Sequence, residues 1–575
     1  MSCPRIWFTD LKSPWEERVM RSPRFEAPHP IRFSGNYTIS LLLVLSAMFS
    51  GVAFRTTNAG AAPRELITES VAGDLDPSFG TGGKVVTDFS SNDDGAAAVA
   101  IQADGKIVAA GTSTARGGNP DFALARYNID GSLDSNFGSN GKVTTDFFND
   151  KDVLHALAIQ PDGRIVAAGL ALRTGMGSQF AVARYNPDGS LDMSFGLGGE
   201  TTTSFSGDDA AFGVAVTPAG KIVAVGTSSI QTFPKFALAR FNSDGSLDAS
   251  FGTGGKVMNS IAGGVDQARA VVLQPDNKIV IAGDHHPGLS FAGFRYNANG
   301  TPDTSFGTGG GVITDVSAGS SAFAIALQSD GKIVAAGFAV GSLIKRFFGL
   351  ARYNPNGSLD RTFGSSFGTL GTSISSRDDV ATGIAIQLNG LILASGFAGA
   401  PGELQTGSAD FALVRYKSKG KLDMTFGAGG KVVTDFFGGA DMANAIALQS
   451  DGKIVLAGVA QGSTNVFAVA RYLVEDFALR IDPPAVTAAR GTAVSVEVLI
   501  NHVGGFIGTV TVTSPDVSSI GVKVKPANPI STTHAMRTLN LKIKSTAQVG
   551  VHHLTFTGKD EEGRVRTATL TLTIQ

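Results

Sequence analysis

The sequence predicts an all-β chain, a seven-bladed β-propeller followed by an Ig-like β-sandwich. Three short signatures recur seven times in fixed order, and the runs between them are small or apolar at nearly every position, as strands covered on both faces are. Past Tyr472 the pattern changes to strict alternation of apolar and polar residues. Composition agrees: 73 of 575 residues are glycine and only 17% are charged, against averages of ~7% and ~25%. No G-X-Y period is present, so the glycine marks turns rather than collagen.

Residues 1–61 form an N-terminal extension. The run Ile39 to Phe54 is apolar, follows scattered arginines and precedes Ala59-Gly60-Ala61, the pattern of a secretory signal peptide; Met20 is an alternative start. The run is short for a membrane span, and an uncleaved anchor is the competing reading. Cys3, Trp7 and Trp15 all precede the cleavage site, so the exported product has no disulfide, no cysteine-ligated zinc and no cysteine nucleophile. It also has no stable membrane span. The formal charge of −2 leaves no basic patch for a phosphate backbone, so nucleic acid is not an expected partner. A linker occupies 62–73.

The propeller is expected over 74–474. Its first unit reads Leu75-Asp76-Pro77-Ser78-Phe79-Gly80, then Ile101-Gln102-Ala103-Asp104-Gly105-Lys106, then Phe122-Ala123-Leu124-Ala125-Arg126-Tyr127. Strands are predicted at Lys84 to Phe89, Ala97 to Gln102, Lys106 to Gly111 and Phe122 to Tyr127. Asp104-Gly105 signals a two-residue type I′ hairpin. A single unit would leave two apolar faces in water and must stack on neighbours, which seven units do around an axis. The repeats begin and end in phase, which leaves the closure of the ring open.

These residues resemble the bacterial delta-60 repeat family, in the LDxxFGxxGK, IQxDGKIVxAG and FALARYNxDG patterns over residues 74 to 472. The resemblance implies a propeller and brings no activity, cofactor or catalytic set. The sixth unit departs most, with Ser365-Ser366-Phe367 inserted and Leu391 in place of Lys or Arg.

Residues 475–575 read as an Ig-like sandwich of about seven strands, from the alternation at Val494, Val496, Val498 and Ile500, at Leu539, Leu541 and Ile543, and at Leu570, Leu572 and Ile574.

A single active site has no need of seven copies, so residues present in every unit read as framework. The aspartates from Asp76 to Asp423 and the arginines from Arg126 to Arg471 are expected to form a repeated ion pair with bidentate geometry. The column Asp94, Asp152, Asp209, Asp266, Asp379 and Asp441 is expected to brace loops. Asn128, Asp130, Ser132 and Asp134 admit a calcium-loop reading, but Lys417, Lys419 and Lys421 occupy that frame in the sixth unit and favour an Asx turn. No other cofactor is expected.

Variation concentrates elsewhere. The spacing from the glycine after the Ile-Gln signature to the next FALARY phenylalanine runs 11, 11, 10, 8, 11, 15 and 9 residues, while the neighbouring spacings are constant. Variable loops on a rigid scaffold are where binding resides. Arg116, Arg173, Phe233, His285, His286, Lys345, Arg346 and Glu403 lie on these loops and are the candidate ligand-binding residues; no catalytic or metal-binding residues are assigned. The expected function is a secreted or envelope-associated binding scaffold presenting its loops to a glycan or protein. The alternatives are an extracellular polysaccharide hydrolase or lyase with an acidic site, and a structural surface protein.

Overall fold

A computed structural model describes residues 72–575, apart from 90–91, 115–117, 231–232, 262, 342–344, 366, 401–407, 475, 504–508, 526–529, 533–535 and 561–564. The expected signal segment, Arg116 and Glu403 lie outside the described residues. Among those described, no helix is long and apolar enough to cross a membrane.

The repeat region is built of four-stranded antiparallel sheets. The first comprises Asp94–Ile101, Ile107–Thr114, Pro120–Tyr127 and Lys142–Thr145, in that order. Five more follow the same plan, opening with Asp152–Ile159, Asp208–Val216, Val265–Leu273, Ser320–Leu327 and Asp378–Ile386. The seventh joins Asp441–Leu448, Ile454–Gln461 and Asn465–Tyr472 to Lys84–Thr87 from the start of the chain.

This arrangement corrects the expected unit. The run after each LDxxFG signature is the outer strand of the preceding sheet, because the chain turns at Gly80 to Gly83 or its equivalents and pairs backwards. Thus Lys142 to Thr145 pairs with Phe122 to Ala125, and Lys84 to Thr87 pairs with Phe467 to Ala470. Repeat and sheet are one strand out of phase.

The hairpin between the first two strands is also corrected. Gly105 N–H donates to Gln102 O and Gln102 N–H to Lys106 O, both at 2.9 Å, and Gly105 alone in this loop has positive φ, +84°. This is a three-residue loop, a type I turn closed by a glycine bulge, rather than a type I′ turn.

Successive sheets share cores. Val108 and Ala110 face Ile165 and Ala167 of the second sheet, while Ile107 and Ala109 face Val455 and Ala457 of the seventh. Alternate residues of one strand are thereby buried on opposite sides, which is why the strand reads as continuously apolar. The first strands of all seven sheets contact one another in sequence, and Asp441–Leu448 returns to Asp94–Ile101. The protein is therefore all-β, with propeller-like repeats of four antiparallel strands.

The ion pair is present in every unit, linking each arginine to the aspartate of the following signature. Arg126 Nε and Nη2 both lie 2.8 Å from Asp134 Oδ2, so they converge on one oxygen instead of forming the expected two-oxygen fork. Lys106 adds a third nitrogen at 2.9 Å. Arg126 Nη1 reaches Pro187 O of the next unit, and its guanidinium stacks 4.5 Å from the centre of the Phe137 ring. Registration between sheets thus comes from Nη1.

The Asx reading matches the geometry at Asp130. Ser132 N–H and Oγ–H both donate to Asp130 Oδ1, at 3.0 and 2.7 Å, while Asp134 faces Arg126. The second aspartate column braces turns as expected: Phe89 N–H donates to Asp94 and Phe147 N–H to Asp152, each at 2.7 Å.

The C-terminal region contains two further sheets. One orders Asp476–Asp482, Ala493–Val503, Met536–Ile543 and Val522–Lys525; the other orders Ala485–Ala488, Val565–Ile574, Gly550–Asp560, Val510–Thr513 and Ile530–Thr532. They share one core that includes Val496, Val498, Leu541, Phe556 and Leu572. Nine strands appear among the described residues where about seven were expected. The parallel pairing of Ala485–Ala488 with Thr571 to Ile574 is invisible to a period-two reading.

Candidate ligand-binding site on the fourth sheet

Each first strand carries one extra residue, a bulge marked by a slip in register. The bulged residues are Ala97, His155, Phe212, Arg269, Phe323, Thr382 and Asn444. Opposite each bulge stands the glycine found in every unit. A Cβ on Gly111 would lie 1.9 Å from Gly95 O, and one on Gly283 would lie 1.7 Å from Gln267 O, so the bulged backbone excludes any side chain there.

Because the first strands pack side by side, the bulged residues meet. His155 lies 4.8 Å from Phe212 between ring centroids, and Arg269 sits 5.3 Å from both the Phe212 and Phe323 rings. Thr382 donates to Ala443 O at 2.6 Å and Asn444 to Ala96 O at 2.8 Å. Burial, then the charges of Arg269 and Lys151, push the His155 imidazole down to about 4.

Arg269 links this ring to a polar network found on the fourth sheet, whose second strand, Ile279–His286, reads GDHH where the first sheet has GTST. Its Nε donates to Asp284 Oδ1 at 3.2 Å and Nη2 to Gln267 Oε1 at 2.7 Å. Asp284 also accepts from Ser321 Oγ at 3.1 Å and faces His286 Nε2 at 3.4 Å. Burial works against its charge, but His286, Arg269 and Ser321 together hold the carboxyl below its ordinary value. The hydrogen bond to Asp284 raises His286. His285 Nδ1 lies 2.7 Å from Asp266 Oδ1, whose carboxyl burial pushes up.

His285 and His286 are neighbours on a strand, and each meets a different aspartate. They do not converge on one metal. His285 lines an open cleft of about 560 Å³ with Gly288, Ser290, Asp315 and Ser317. Val316 borders a second cleft of about 320 Å³, with Phe347, Leu370 and Ser373. Ser290 pairs across the strands with His285, yet its hydroxyl donates to Asp315, so the two form no nucleophile–base pair.

The other candidates are dispersed. Arg173 is exposed on the second sheet, 5.3 Å from the Phe148 ring centre. Phe233 opens the strand Phe233–Phe241, its backbone paired with Ile230. Lys345 reaches Ser373 Oγ and Ser375 O, both at 2.5 Å, and Arg346 stacks 4.9 Å from the Phe338 ring centre. The structure therefore brings together His285, His286 and residues that the loop-length argument missed: Arg269, Asp266, Asp284 and Asp315. One signal for Arg269 was present in the sequence, since the bulge column is the position that varies inside an otherwise Ala-rich run.

Residues 102–137, 160–195, 218–251, 274–306, 328–363 and 449–474 match the profile of a domain of unknown function, DUF5122, described as a beta-propeller. With the repeated sheets, this supports a repeat family of β-propeller type. The last matched segment lacks the LDxxFG portion because that portion stands at Leu75 to Gly80. No curated protein matches the sequence. Among solved structures, a hypothetical protein from Leishmania major is 11% identical over 45% of this chain and 82% of its own, with a TM-score of 0.23. Domains 4 and 5 of the S-layer protein SbsC are 14% identical over 33% of this chain and 90% of their own, at 0.13. The N-terminal four Ig domains of Dscam1 isoform 9.44 are 12% identical over 65% of this chain and 89% of their own, at 0.16. Likeness at these scores carries no argument about this chain.

Proposed function

We propose that the chain is a secreted or envelope-associated binding protein, a delta-60-type propeller of seven blades over 74–474 with an Ig-like module over 475–575, which presents the loop end of its fourth and fifth sheets to a glycan or protein. The observation that carries this reading is the departure of the fourth unit from its own repeat. At the three positions after the glycine of the second strand the other sheets carry uncharged residues, such as Thr-Ser-Thr, Leu-Ala-Leu and Val-Ala-Gln, whereas the fourth carries Asp284, His285 and His286. These side chains are held by Arg269 and Asp266 beside an open cleft with hydroxyl and carboxylate edges, the mixture of fixed acceptors and donors that polyhydroxylated ligands and polar protein loops require.

The hydrolase or lyase alternative calls for two carboxyl groups facing one substrate, one of them held protonated. Neither cleft described above is lined by such a pair. Binding is the better reading.

The test is a screen of the secreted chain against polysaccharide and protein arrays, repeated with His285→Ala and Asp315→Ala. Binding weakened by both substitutions without loss of fold supports the assignment. Binding untouched by either removes the fourth sheet from it, and turnover of any bound polysaccharide, abolished by a single carboxylate substitution, replaces the binding reading with the enzymatic one.

A further inference from the structure

Asp121, Asp146 and Asp152 come from the third strand of the first sheet, the residue after its outer strand and the start of the second sheet. One oxygen from each lies within 4.8 Å of the others. That ceiling is about twice a calcium–oxygen distance, the span of ligands on opposite sides of one ion. Proximity of acids alone is common; here it coincides with a buried carboxylate oxygen that has no partner and with the loss of a neighbouring cation.

Asp152 is fully buried, and its Oδ1 has no hydrogen-bond partner, as at Asp94 and Asp209 of the same column, neither of which belongs to such an acidic trio among the described residues. Its Oδ2 is taken by the Phe147 N–H. In the seventh sheet the N–H of Gln461 is shared between the equivalent Asp441 Oδ1 and Ala440 O, each at 3.2 Å; here the equivalent N–H, that of Leu172, donates to Lys151 O at 2.8 Å. In the fourth sheet His285 fills the same role for Asp266. Ala171 stands across from Asp152 and offers no polar atom.

A lysine is missing as well. At four of the equivalent junctions, the lysine that opens an outer strand reaches back over the neighbouring sheet: Lys84 to Asp435 O at 2.9 Å, Lys142 to Asp88 O at 2.8 Å, Lys256 to Ser204 O at 2.7 Å and Lys431 to Ser373 O at 2.8 Å. The strand that would serve Asp146 is Glu200–Thr203, so a fourth acid replaces the cation. Burial and the charge of Asp146 both raise the Glu200 carboxyl, and burial raises Asp121, to about 6, with Asp146 adding to it. The related trio Asp410, Asp435 and Asp441 retains its lysine, Lys84, and its backbone donor.

We propose that Asp121, Asp146 and Asp152, assisted by Glu200, bind a hard divalent cation of the calcium class between the first and second sheets, in the place where other junctions use a lysine. All donors are carboxylate oxygens, which suits calcium, and a site built from several carboxylates of the protein itself is more typical of calcium than of magnesium, which keeps much of its water. The site is distinct from the Asx turns and independent of the fourth-sheet cleft.

The experiment is calorimetric titration of the full chain, after treatment with chelator, with calcium chloride and in parallel with magnesium chloride. One saturable calcium site is expected, with a rise in melting temperature. Asp146→Asn should weaken it at least tenfold. Glu200→Lys, which installs the residue found in four of the other repeats, should abolish binding and raise the melting temperature measured in chelator. Asp435→Asn should leave calcium binding unchanged. Absence of saturable binding to the wild-type chain, or wild-type affinity in Glu200→Lys, overturns the proposal. So does loss of the site in Asp435→Asn.

Discussion

Arg471 Nε lies 2.9 Å from Asp76 Oδ2 across 395 residues of chain. Both are buried, Arg471 also donates to Ile129 O at 2.5 Å, and its guanidinium stacks 4.6 Å from the Phe79 ring centre. The pair is the same one that Arg126 makes with Asp134 eight residues away. One local motif therefore becomes a contact between the two ends of the repeat region.

Removing one partner of a buried ion pair leaves the other uncompensated, at about 3–5 kcal/mol. Asp76→Ala is expected to lower stability by that amount in urea denaturation. Deleting residues up to Phe89 should additionally expose the edge of Asn465–Tyr472, seen as faster amide exchange at Phe467 to Ala470. Unchanged exchange there would contradict the closure.

The bulge and its glycine form a unit. Gly111→Ala must displace Gly95 O, at a cost of about 1–3 kcal/mol or more for overpacking. Gly220→Ala, where nothing lies within 4 Å, carries only the strain of positive φ, about 1 kcal/mol. Equal losses in the two variants, measured by thermal melts, would contradict the bulge argument.

Asp360 and Asp441, one from each aspartate column, titrate in opposite senses. Burial opposes ionisation of Asp360, but Thr362, Arg352 and Lys332 outweigh it and bring the carboxyl down to about 2. Burial pushes Asp441 up to about 6 despite the N–H groups of Phe436 and Gln461. A lowered carboxylate stabilises above its unfolded value of ~3.9 and loses that contribution as pH falls toward 2; a raised one costs stability at neutral pH that is recovered as pH falls through 6. Stability should therefore peak near about pH 4–5. Urea midpoints across the acid range check it, and a monotonic rise to neutral pH would refute it.

Arg269→Met removes the charge that helps to hold His155 neutral and leaves Asp284 without its guanidinium. The His155 pKa should rise from about 4, and stability should fall by about 3–5 kcal/mol. Proton NMR titration of the imidazole reads the first and denaturation the second.

The repeated sheets were legible because framework residues recur at fixed spacing, and the Arg–Asp pairing was legible because both columns are invariant within the chain. The one-strand offset was not, since Lys84 to Thr87 is the same strand-like run whichever sheet receives it. Direction of pairing is set by the turn at Gly80 to Gly83, not by the strand. At the site, His285 and His286 were legible as residues of a segment whose length varies between units, whereas Asp284 was passed over beside them and Asp266 was read only as a turn brace. The acidic trio Asp121, Asp146 and Asp152 spans two sheets, and only folding reveals that Glu200 opens the strand from which four other junctions supply a lysine.

The offset also dictates an order of events during synthesis. Strand Lys84–Thr87 emerges first among the strands of the repeat region, and its partner, Asn465–Tyr472, emerges last. Six sheets can complete themselves as the chain lengthens, each receiving its outer strand soon after its inner three. The seventh cannot. An unpaired, Val-rich segment must wait at the head of the growing chain until nearly 400 further residues have been made. A chain released early would carry both a strand without a sheet and a sheet with a bare edge, the two halves of a domain swap.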